Sequence, residues 1–223
     1  MATVYATTGD SYVVRTSTTS WNDAQGDATT NGTAHHAGRG NYSLGVYART
    51  LGGRGGGTYL CYRSYFPFDL SGESGTIDSA TISIYLDNLG SAGISSTARL
   101  VEATALDGGV EDHGNVFSGD TTWHDDVSSA VLLSPAAGYN DFSLNSDGIA
   151  LFQSAIDSSG RATVGLVSNY HDYLENTPPS GGNYTRFNVY YQNYVAPDRR
   201  PKVVITYETA EVTDNATFFG ANF

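Results

Sequence analysis

Hydrophobic and polar positions alternate with period two along most of the chain. In "TISIYL", Ile82, Ile84 and Leu86 fall on one side and Thr81, Ser83 and Tyr85 on the other. Successive strand side chains point to opposite faces, so this is the pattern of a half-buried antiparallel strand. The same reading puts Tyr12 with Val14, Tyr42 with Leu44 and Val46, Phe66 with Phe68 and Leu70, and Val203 with Ile205 and Tyr207. Further strands are expected over residues 98–104, 130–133, 140–144, 162–168, 184–192 and 202–208.

One segment changes period. In "NSDGIALFQSAIDSSG", Ile149, Leu151, Phe152, Ala155 and Ile156 recur at helical spacing, with Ser146 or Asp147 available as N-cap and Gly160 as a stop. A single sizeable helix is therefore expected over about residues 147–157, laid across the end of a sandwich. Two polar stretches, 16–41 and 170–183, exceed the usual loop length and read as functional segments or packed decoration.

Composition supports strands over helices. Charged residues make up 15% of the 223, while Gly, Ser, Thr, Asn and Tyr are abundant, which suits strands joined by polar turns. A chain of this length is expected to form one all-β domain over residues 1–209, followed by a tail over 210–223.

The net charge of −12, from 11 basic and 23 acidic residues, excludes a phosphate-tracking surface, so no nucleic-acid partner is expected. Lys202 is the only lysine, and the adjacent Arg199 and Arg200 lie between Pro197 and Pro201 in what reads as a turn. Cys61 is alone, which rules out a disulfide within one chain; it reads as a structural thiol, with Tyr59 and Arg63 on its side of the strand. No stretch approaches a membrane span, and the amino terminus lacks a basic and an apolar region of secretory type, so general secretion is not expected.

The stretch "FPFDLSGESGTIDSATISIYL" resembles the central signature of the DNRLRE or disaggregatase-related family, which is grouped with carbohydrate-binding modules. The matching positions are Phe68, Asp69, Leu70 and Ser71, then Thr76, Ile77, Ser79, Ala80 and Thr81. "GDTTWHDD", with Thr122 and Trp123, "GRATVGLVS" and "RPKVVITYE" resemble the family's turn, penultimate strand and closing strand. The resemblance implies an antiparallel jelly-roll β-sandwich that binds glycans or serves as a structural module. Pro67 departs from it: a proline inside a central strand removes a ladder donor, so an edge or a bulge is expected there.

Candidate chemistry is sparse. His35 and His36 are adjacent in a Gly-rich loop without ligand spacing, and His113 and His124 neighbour acidic residues in polar loops. Glu111 with Asp112, and Asp125 with Asp126, carry the oxygen donors that a structural calcium would take, without EF-hand spacing. No metal site or other cofactor is expected beyond that, and with no nucleophile, base and orienter in any motif the chain is not expected to be an enzyme. The 16 tyrosines suit sugar rings and protein interfaces as well as strand packing, without singling out glycan-binding residues.

Two functions are expected. The first is a virion structural protein, a bacteriophage-like head decoration or fibre component, whose partners are other virion proteins or copies of itself. The second is an extracellular carbohydrate-binding module that accompanies a secreted polysaccharide-degrading enzyme, with polysaccharide as its partner. The segment "AEVTDNATFFGANF" supplies the candidate interface residues Phe218, Phe219 and Phe223, since exposing these rings would forgo about 1.5–3 kcal/mol each.

Overall fold

The computed structural model describes residues 1–7, 9–26, 33–36, 43–51, 57–92, 97–103, 125–134, 136–158, 160–174, 184–190 and 197–209. The strands are β1 Ala2–Tyr5, β2 Ser11–Ser17, β3 Thr33–His36, β4 Ser43–Leu51, β5 Thr58–Asp69, β6 Ile77–Ala92, β7 Thr97–Glu102, β8 Val131–Leu132, β9 Gly138–Ser143, β10 Arg161–Ser168, β11 Tyr184–Val189 and β12 Lys202–Tyr207. Two α-helices accompany them, α1 Trp21–Gln25 and α2 Ser146–Asp157. Every strand pairing is antiparallel.

The pairings have the order of a long hairpin rolled up on itself. β1 pairs with β12, β5 with β10, β6 with β9 and β7 with β8, so first meets last and each successive strand meets its counterpart. Two further ladders, β12 with β6 and β10 with β7, close the roll. One sheet then reads β1-β12-β6-β9 and the other β5-β10-β7-β8, with β2 and β3 added beyond β5. This is a jelly-roll β-sandwich. β4 and β11 pair with each other and join the far ends of β5 and β6.

The core between the sheets is the one the alternation predicts. Phe66, Phe68, Leu70, Ile82, Ile84, Leu86, Val203 and Ile205 are buried in it, while Thr81 and Tyr85 on the opposite side of β6 are partly exposed and Ser83 is covered. Helix α2 adds Phe152, Ala155 and Ile156 to the core, with Ile149 and Leu151 packed at its margin. Its N-cap is Asn145, one residue before the expected pair; the Asn145 side chain accepts from Gly148 N at 2.9 Å. Gly160 N donates to Ala155 O and ends the helix.

Several expected boundaries move. The strand expected over 130–133 shortens to Val131–Leu132, and that over 184–192 to Tyr184–Val189. The polar stretch 16–41 contains both α1 and β3, neither of which has an apolar period of its own. Of the tail, the structure describes nothing from residue 210 onward, so it lies outside the described residues.

Pro67 sits in β5 opposite Thr163 of β10. Its carbonyl accepts from Thr7 N at 2.9 Å, so its ring nitrogen faces the link between β1 and β2 rather than a regular ladder. At this point that side of β5 carries only the isolated bridge of Phe68 with Ala6, so the proline interrupts no continuous ladder, and the register with β10 runs through it without a bulge.

A glycine governs how α2 docks. A Cβ on Gly148 would lie 2.5 Å from the Val127 carbonyl and 3.1 Å from the Leu144 and Val127 side chains. Backbone cannot retreat cheaply, so Gly148→Ala is expected to destabilise the fold by about 1–3 kcal/mol, as overpacking does. Thermal unfolding checks this: the melting temperature should fall by roughly 2–4 °C per kcal/mol for a domain of this size.

Candidate functional site

Strand β5 changes partners along one edge. Its residues Ser64 to Asp69 pair with β10 and Thr58 to Tyr62 pair with β4, so those two strands diverge at Arg63. On the other edge Arg63 lies opposite Val13 of β2. The Arg63 side chain leaves the sheet at this point, on the face shared with Cys61 and Tyr65, and is fully buried.

The segment after β10 covers this side chain. Residues Asn169–Leu174 form a single π-helical turn that folds back over the sheet, the kind of irregular turn often found at functional sites. Asp172 of this turn accepts from Arg63 Nε at 2.9 Å and from Arg63 Nη2 at 2.8 Å, a two-pronged ion pair. The two side chains are 0% and 1% exposed. Burial works against the charge on Arg63, but the Asp172 carboxylate and its hydrogen bonds more than offset this and hold the guanidinium pKa above its ordinary value.

Helix α1 supports the turn from the other side. The Trp21 indole donates to the His171 carbonyl at 3.2 Å, and the Gln25 amide donates to the Asp172 carbonyl at 2.9 Å. The Ser20 side chain caps α1 by accepting from Asp23 N, and Ser17 Oγ donates to the Asp23 carboxylate. A second arginine, Arg99 of β7, donates to Asn169 Oδ1 at 3.0 Å and to Asp126 Oδ2 at 2.7 Å, and lies 4.2 Å from the Tyr173 ring centroid. These contacts orient the guanidinium, carboxylate, amide and indole groups of the layer, which behaves as a second core with polar contents.

Cys61 lies in the same layer, packed with Trp21, Ala24 and Tyr59. Burial, and then the nearby Asp172 carboxylate, push its thiol well above the ordinary pKa. A thiol so held is unreactive, as expected for a structural cysteine.

The outer face of the first sheet is different in kind. Tyr5 and Lys202 are register partners between β1 and β12, and Lys202 in turn lies opposite Ser83. One step along, Tyr85 and Tyr139 face each other across β6 and β9, with ring centroids 5.3 Å apart. Tyr190 packs edge-on against Tyr85 at 5.2 Å. Two cations sit on these rings: Lys202 Nζ is 4.4 Å from the Tyr139 centroid and Arg199 Cζ is 5.1 Å from that of Tyr85. Tyr139 OH donates to the Asp198 carbonyl, with the Arg200 carbonyl at 3.0 Å as a second acceptor in reach, and burial first, then the neighbouring Tyr5 and Asp198, push its pKa up to about 12. Tyr5 is 45% exposed. Tyr85, Tyr139, Lys202 and Arg199 are partly buried and Tyr190 is buried, so this face is a cluster of tyrosines and cations packed on one another, with Tyr5 exposed at its margin.

The expected site residues are distributed unevenly. Phe218, Phe219 and Phe223, together with Glu111, Asp112, His113, Trp123 and His124, lie outside the described residues. His35 and His36 belong to β3, where they pair with Tyr12 and Ser11. Asp126 is engaged by Arg99, and Asp125 offers its backbone carbonyl to Glu102 N. Among the described residues no group of three or more His, Cys, Asp or Glu is placed to hold a metal ion, and no helix is long and apolar enough to cross a membrane. The Arg63–Asp172 pair was not anticipated: its partners are 109 residues apart, and the one signal was a charge at a period-two position between Cys61 and Tyr65. No family model matches the chain, and no curated protein is significantly similar to it.

The pair makes a quantitative prediction. Arg63→Met or Asp172→Leu alone leaves a buried charge without its partner and is expected to cost about 3–5 kcal/mol. The double variant removes both charges and is expected to recover at least half of that. Denaturant unfolding of the four proteins measures the coupling.

Proposed function

We propose that the chain is a non-catalytic structural protein of a virion, a head decoration or fibre component of bacteriophage type. The observation that carries this reading is the closed jelly-roll order, first strand against last, an architecture that recurs in capsid and lectin domains. Supporting it, the outer layer of the second sheet is locked by a buried ion pair and two helical segments. A rigid sandwich of that kind suits a part whose work is to be placed and held.

A second reading, a carbohydrate-binding module beside a polysaccharide-degrading enzyme, is favoured by one feature. Tyr5, exposed at the margin, and the partly exposed Tyr85 and Tyr139 lie beside Lys202 and Arg199 on the outer side of the first sheet, and aromatic rings with polar neighbours suit the rings of a sugar chain. The resemblance of residues 66–86 to the central signature of carbohydrate-binding jelly rolls leans the same way. Both readings leave the chain without a reaction of its own.

Quantitative mass spectrometry of purified particles from the producing organism tests the proposal. The expected result is a fixed, high copy number per particle that survives density-gradient purification. Recovery of the protein from the medium on polysaccharide, with none in particles, would favour the second reading, and turnover of a glycan by the purified chain would defeat both.

A further inference from the structure

We draw no further inference here: the strongest candidate, the exposed surface patch that Tyr170 and Leu174 form on the π-helical turn over the second sheet, is an apolar surface for which nothing in the structure shows what covers it.

Discussion

The ion pair between Arg63 and Asp172 fixes the layer that the second sheet carries on its outer side. It lies where β4 and β10 part company along β5. An apolar residue there would need an apolar lid. The chain instead offers a guanidinium, whose charge requires a carboxylate in a defined place, and Asp172 meets it only if Asn169–Leu174 folds back in one geometry. A buried pair of this kind adds little net stability relative to a packed apolar pair. What it fixes is position, since every misplacement of the turn would strand a charge in a dry layer.

From that constraint the rest of the outer layer follows. With the turn fixed, the carbonyls of His171 and Asp172 present acceptors to Trp21 and Gln25, and α1 is held without a long apolar stripe. A five-residue helix has little intrinsic stability, so its persistence depends on those two contacts, its Ser20 cap and the burial of Trp21 and Ala24. The second sheet is therefore packed on both faces: apolar inward against the first sheet, mixed outward. Val13 and Ser11 of β2 are fully buried on the outer side, whereas Tyr12 and Val14 on the inner side are only partly so. On the outer side of the first sheet the aromatic and cationic side chains instead pack on one another, with Tyr5 exposed at the margin.

The inner core was legible because it needs only alternation. Ile82, Ile84 and Leu86, or Phe66, Phe68 and Leu70, declare their face at spacing two, and α2 declares its own at helical spacing. The outer layer was not legible for the opposite reason. Arg63 reads as a solvent-facing charge until the turn that covers it is placed, and β10 and Asp172 come about a hundred residues later. α1 and β3 lie in a polar stretch whose structure is imposed by contacts distant in sequence. The cationic face was half visible: Arg199, Arg200 and Lys202 cluster in the chain, but the meeting of Tyr5, Tyr85 and Tyr139 requires the register of three separate ladders.

Native-state hydrogen exchange on the unaltered chain and on Arg63→Met addresses the central claim most directly, because it resolves which parts open together. If the ion pair holds the outer layer, the amides of Trp21–Gln25 and Asn169–Leu174 share one opening free energy, and the substitution lowers it in both while amides of β6, β12 and α2 keep most of their protection. Loss spread evenly over the whole sandwich, or a turn whose protection is unchanged without Arg63, would contradict the account.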